Sequence, residues 1–197
     1  MDDGSTDATR EVLAGEQVLA LPTNAGKGEA VRRGLIEAIG RGARATGYWD
    51  ADLSTPPEEI LRLREALVGE RRLVMGARVL LYGRDIRRRA IRHYPGRVFA
   101  TAAAMTLGAP FYDTQCGAKL LVADAKMGQL LARPFASRWA FDAELIGRVL
   151  RQDGAASVEE VPLGSWTESP ASKVRPSDAP RGLMDLARIA WRLRTTS

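Results

Sequence analysis

The chain has 197 residues, with 29 Lys and Arg against 24 Asp and Glu and a hydrophobic share of 45%, a balance that fits one folded domain with a real core and excludes a fibrous or disordered chain. The single Cys116 excludes an intrachain disulfide and fits a reducing, cytosolic setting, the single His93 excludes a histidine-rich metal site, and the net charge of +5 favours anionic partners. No basic-then-apolar leader opens the sequence, and its longest weakly polar run, 98–112, is too short to span a bilayer.

Taken in chain order, Asp2-Asp3-Gly4-Ser5 reads as a turn leaving a strand, and Asp7 caps a helix through Leu13. Residues 18–21 read as a short buried strand. The glycine loop 23–28 opens a helix to about Ile39. Tyr48 and Trp49 end a strand. Pro56-Pro57-Glu58-Glu59 starts the next helix, with acids that suit its dipole. Its inward face is expected to be Ile60, Leu61, Leu63, Leu67 and Val68. Leu73 to Met75 form a strand ending at Gly76-Ala77-Arg78. The segment 84–97 is expected to be helical and is dense in arginine: Arg84, Arg87, Arg88, Arg89, Arg92 and Arg97. Residues 118–122 read as a strand, 140–150 as a helix and 158–161 as a strand. The tail from Gly182 to Arg194 reads as an amphipathic helix, with Leu183, Leu186, Ile189, Ala190 and Leu193 near one stripe. Strands alternating with helices predict an α/β sheet covered on both faces, with ligands at the carboxyl ends of its strands.

Two acidic turns fall at such ends. Asp50-Ala51-Asp52 places two carboxylates two residues apart, suited to one hard divalent cation that bridges a diphosphate; solvated turn caps are the plain alternative. Asp3 suits either an Asx turn or a hydrogen bond to a base or ribose. Gly26-Lys27-Gly28 lets backbone approach a diphosphate, with Lys27 supplying charge; the spacing is not that of a Walker loop. Residues 113–119 combine an acid, an amide, a glycine and a lysine, the mixture an acceptor site needs, although many turns share it. Asp142 and Glu144 read as dipole partners of a first helical turn. Trp166 to Val174 reads as a mobile lid or a plain connector. The arginine cluster suits anionic headgroups, and it lacks the interleaved aromatics that nucleic acid would call for.

In their order, the strings DDGSTD, NAGKGEAVRRG, DADLSTPPEEI, GAR, DTQCGAKL, FDAEL, EVPLGSW and SKV resemble the family-2 GT-A glycosyltransferases, and most of all the polyprenyl-phosphate (dolichyl-phosphate) glucosyl- and mannosyltransferases. DTQCG followed by Lys-Leu is more similar to the β-glucosyl branch. The resemblance implies a Rossmann-like GT-A fold with a mixed, mostly parallel sheet. It implies one domain over 1–197: a nucleotide-sugar part at 1–80, an acceptor part at 81–175 and a C-terminal amphipathic helix at 182–194. By position, Asp3, Lys27, Asp50, Ala51, Asp52 and Arg78 would meet the nucleotide-sugar. Asp50 and Asp52 would hold Mg2+ or Mn2+. Asp113 would be the catalytic acid or base beside the acceptor, with Asp52 also catalytic. Gln115, Lys119 and Lys173 would meet the sugar or phosphate groups. The implied partners are a nucleotide-sugar, a polyprenyl phosphate and an anionic membrane surface, with no nucleic acid, and the implied place is the cytoplasmic side of a membrane. A different glycan acceptor, or a non-catalytic nucleotide-binding remnant, stays open. The family pattern places a strand and helix with a P-x-Y-N-E-like stretch before DDGSTD. Here the sequence starts at that turn, so the resemblance implies a core lacking that N-terminal unit.

Overall fold

Four strands form the main sheet of the computed structural model, which describes residues 1–87, 90–169 and 179–195. Side by side lie β1 (Ala45–Trp49), β4 (Ala118–Val122), β2 (Leu73–Ala77) and β5 (Val158–Pro162). β4 is antiparallel to both neighbours and β2 is parallel to β5, so three strands share one direction and β4 is reversed. A second, two-stranded parallel sheet joins β3 (Asp85–Arg87) to β6 (Ser165–Thr167).

Helices cover both faces, as the alternation of elements predicts. β2 is buried throughout, and its successive side chains enter two different cores. Leu73 and Met75 join Leu35 of α2 (Lys27–Gly40), Leu130 and Leu131 of α5 (Ala125–Ala132), and Leu145, Ile146 and Val149 of α6 (Phe141–Asp153). Val74 joins Leu63 of α3 (Glu59–Ala66), Cys116, Leu120, Leu163 and Trp166 on the other side. A third cluster packs Ala103 of α4 (Ala90–Leu107) against Ala140, Ala143, and Leu186 and Ile189 of α7 (Ala179–Thr195).

Several expectations change in detail. Residues 18–21 form no strand; Ala20 makes only an isolated parallel bridge to Asp2. The helix expected through Leu13 is one turn, α1 (Thr9–Val12), with Asp7 accepting the Thr9 amide and Val12 exposed. In α3 only Leu63 of the expected face is fully buried, and Ile60, Leu61 and Val68 are exposed. The reason is Glu59, whose carboxylate turns inward to accept the amides of Gly164 and Ser165 at 3.0 and 3.1 Å and so fixes the rotation of the helix. Residues 85–87 pair as a strand, and the helix starts only at Ala90. Trp166 belongs to β6, not to a loop, and is buried. Along α7, Leu186 and Ile189 face the core while Leu183 is exposed. Among the described residues, no helix is long and apolar enough to cross a membrane.

Candidate active site

β1 ends at Trp49, and the chain turns at once through Asp50-Ala51-Asp52. The Asp50 amide donates to Gly117 O at 2.8 Å, and the Asp50 carboxylate lies so close over Gly117 that a Cβ there would overlap it. Glycine at 117 is therefore what lets the two turns meet. Asp50 Oδ1 pairs with Lys27 Nζ at 2.6 Å, and both side chains are partly open to solvent. Ala51 and Asp52 are exposed; Asp52 Oδ1 accepts the Ser54 amide at 3.0 Å. Leu53 adopts φ 52°, a left-handed conformation unusual for a branched residue, in the turn between these acids and the next helix. Trp49 Nε1 donates to Thr55 O at 2.7 Å and Thr167 N donates to Ser54 O at 2.9 Å, so the turn is tied from below and from β6.

The glycine loop supplies the facing wall. Asp3 accepts the amides of Ala25 and Gly26 at 2.8 and 2.9 Å, so its carboxylate shapes the loop that presents Lys27. Gly26 takes φ 93° against the Arg138 side chain, and Arg138 Nη2 donates to Asn24 Oδ1 at 2.5 Å. Lys27 stands over the Phe141 ring, its ammonium 5.9 Å from the centroid. Burial opposes its charge, but Asp142, Asp50 and Asp52 together outweigh that and raise its pKa.

Arg78 and Asp113 form the second charged group. Arg78 Nε and Nη2 donate to Asp113 Oδ2 and Oδ1 at 2.5 and 2.7 Å, a bidentate fork. Arg78 stacks 5.2 Å from the Trp166 ring centroid. Burial opposes the Arg78 charge, but Asp113, with Cys116 and Asp50 adding to it, outweighs that and raises its pKa. Asp113 is 6% exposed, with both oxygens on Arg78 and Oδ1 also accepting the Gln115 amide at 3.2 Å. The resemblance implies an acid or base here; the structure presents a buried carboxylate paired with an arginine. Beside it, the Thr114 hydroxyl and Gln115 Nε2 are buried without a hydrogen-bond partner. Burial, with Asp113 nearby, pushes the Cys116 thiol up to about 11, so it is an inert filler.

Lys119 departs from its expected phosphate contact. The register sets it opposite Tyr48, on the face that α6 covers. Its side chain is fully buried; Nζ donates to Asp142 Oδ1 at 2.5 Å and to Cys116 O at 2.6 Å. The Tyr48 hydroxyl donates to the same Asp142 oxygen. Lys119 is thus sealed inside the fold, out of reach of solvent. Lys173, Arg88 and Arg89 lie outside the described residues.

Sequence reasoning missed Asp142, Tyr48 and Glu160. Glu160 accepts the amides of Tyr112 and Asp113 at 2.8 and 2.5 Å, and burial raises its pKa. An acid in a first helical turn, a tyrosine in a strand and an acid in an edge strand each have an ordinary local explanation, so only the long-range pairing exposes them. Among the described residues, no three His, Cys, Asp or Glu side chains group closely enough to hold a metal alone. Asp50 and Asp52 nonetheless suit a hard cation that takes its remaining ligands from a diphosphate and water. Their oxygens are hard donors, both are reachable from solvent, and Asp50 already pairs with a cation in Lys27.

The sequence pattern of glycosyl transferase family 2 matches residues 1–121. A dolichyl-phosphate beta-glucosyltransferase of Trichomonas vaginalis is 30% identical over 203 residues, covering 96% of this chain and 58% of that protein. Its counterpart in Drosophila melanogaster is 32% identical over 199 residues, covering 89% of this chain and 57% of that protein. The chain thus spans less than two thirds of the length of these curated relatives. The crystal structure of Mycobacterium tuberculosis glucosyl-3-phosphoglycerate synthase with Mn2+, UDP-glucose and glycerol 3-phosphate aligns at a TM-score of 0.65 and 22% identity, covering 97% of this chain and 68% of that one. With that fold, and with the family pattern matched over more than half its residues, the chain belongs to glycosyl transferase family 2.

Proposed function

We propose that the chain is the GT-A core of a metal-dependent, inverting hexosyltransferase. Its favoured donor is UDP-glucose, with GDP-mannose as the other candidate, and its acceptor is a polyprenyl or dolichyl phosphate. The observation that carries this reading is the meeting of three motifs at the end of β1: the Asp50–Asp52 turn, the Lys27 loop and the Gly117 turn. The names of the curated relatives support the acceptor and the sugar, and the Mn2+ and UDP-glucose of the structural neighbour support the donor and the cation.

Asp50 and Asp52 would hold Mg2+ or Mn2+, which when bound supplies positive charge to the leaving diphosphate. Lys27 adds a second positive charge at the start of α2, where backbone amides also face an anion. Asp3 keeps the glycine loop in shape for that approach. An acceptor phosphate oxygen attacks the anomeric carbon; the new C–O bond forms as the bond to the diphosphate breaks, and the diphosphate leaves with the electron pair. The acceptor is already anionic near neutral pH, so the reaction needs little base catalysis. Asp113 therefore acts by aiming Arg78 into the donor side of the cleft. Thr114 and Gln115, with buried polar groups to satisfy, serve sugar recognition. Residues 1–80 form the donor part and 81–175 the acceptor part, with Lys173 an acceptor-phosphate ligand. The acceptor is met at an anionic membrane surface on the cytoplasmic side.

The test is transfer of labelled glucose from UDP-glucose to a polyprenyl phosphate, with and without Mn2+. The reading predicts label in the organic phase only with the cation. Undiminished transfer in chelator, or no transfer from any nucleotide-sugar, contradicts it.

A further inference from the structure

Lys27 occupies the carboxylate that the cation needs. Its ammonium is 2.6 Å from Asp50 Oδ1, and both side chains are partly open to solvent. Nothing local favours a lysine there. It is the first residue of α2, a 14-residue helix whose N-terminal field repels cations. It is held there by side chains: Asp50 directly, and Asp142 and Asp52 through their fields. Asp142 acts on Lys27 through its field alone, while its Oδ1 makes close contact with the buried Lys119 and with Tyr48. Lys119 is equally fixed, with Cys116 O on its other side. Of the two lysines in this network, only Lys27 has a side chain open to solvent.

The charges explain what such a lysine does. Asp50, Asp52 and Asp142 stand against Lys27 and Lys119, so the cluster carries one net negative charge. A divalent cation alone would turn that to one net positive charge while crowding Lys27 at the same oxygen. An incoming diphosphate removes the conflict, because it gives Lys27 a new anion within the same loop and helix start.

Resting on the proposed donor site, we propose that Lys27 is a built-in counterion of Asp50 that gives way only when a diphosphate draws it off, so that cation and nucleotide bind as a coupled pair. In this account Lys27 weakens binding of the cation alone and strengthens binding of the cation with nucleotide. The coupling is reciprocal: the factor by which uridine diphosphate tightens Mn2+ equals the factor by which Mn2+ tightens uridine diphosphate. It keeps the acidic turn from holding a metal without a donor.

The experiment is calorimetric titration of MnCl2 into the chain, with and without saturating uridine diphosphate, for the wild type, Lys27→Met and Lys27→Gln. Both variants keep a side chain of similar reach at a half-exposed position. Without nucleotide, both are expected to bind Mn2+ about five-fold more tightly than the wild type, the scale of a partly exposed ion pair. With nucleotide that advantage disappears, so the coupling factor falls by at least as much. Unchanged or weaker Mn2+ binding by both variants without nucleotide overturns the counterion role while leaving the donor site standing. Failure of the wild type to bind Mn2+ even with uridine diphosphate overturns the metal-dependent donor site, and this inference with it.

Discussion

At the scale of single residues, the site divides into side chains open to solvent and side chains that hold others in place. Asp52 is exposed, and its single hydrogen bond to the Ser54 amide leaves oxygen lone pairs for a cation. Asp52→Asn is therefore expected to fold normally and to lose turnover by about 100-fold or more. Steady-state transfer assays alongside thermal melting check this; lost turnover with an unchanged melting temperature is the expected pair of results. Arg78 and Asp113 behave differently, because both are largely buried. Arg78→Met strips Asp113 of its guanidinium partner inside the fold and is expected to cost about 3 kcal/mol of stability, measured by denaturant unfolding. Arg78→Lys recovers only part of that, since an ammonium cannot reproduce the fork. Asp50, Asp52 and Lys27 could be singled out in the sequence because they lie in short motifs whose spacing is local. The pairing of Asp113 with Arg78 could not be read there, because 35 residues separate the two.

Between elements, buried charge sets how strands and helices join. Lys119 of β4 and Asp142 of α6 meet across a distance no periodicity reveals. Position in the motif suggested a ligand contact; the antiparallel register, which puts Lys119 opposite Tyr48, decided the matter instead. Lys119→Met is expected to destabilise by about 3 kcal/mol, because Asp142 keeps its charge without its cation. Adding Asp142→Asn removes that charge and keeps an acceptor for the Tyr48 hydroxyl, so the double variant should be more stable than Lys119→Met alone. A double variant as unstable as the sum of the two singles would contradict the pairing. The N-terminal segment has a separate dependence on acid. Hydrogen bonds from the Ser5 hydroxyl and from Arg10 lower Asp2 from 3.8 to about 2. A depressed carboxylate contributes stability above its unfolded value and loses it as pH falls through the folded one. The contribution of Asp2 is thus present above pH 3.8 and is lost as pH falls through about 2. Asp2→Asn should flatten the pH dependence of unfolding in that window.

Taken whole, the molecule follows the alternation written in its sequence: helices on both faces of a sheet whose central strand, β2, is buried throughout. What composition could not show is which helical faces stay outward. α7 buries Leu186 and Ile189 but exposes Met184 and Trp191 together with Arg181, Arg188 and Arg194. Apolar and cationic groups on one element suit an anionic bilayer. Co-flotation with phosphatidylserine vesicles is therefore expected, weakened by Trp191→Glu; equal flotation of the two proteins would remove α7 from that role. Calorimetric titration of UDP-glucose in Mn2+ and in EDTA reads the proposed donor site without relying on turnover. Metal-held donor binding is expected in Mn2+ and is expected to disappear in EDTA and in Asp52→Asn. Equal binding under all three conditions would contradict it.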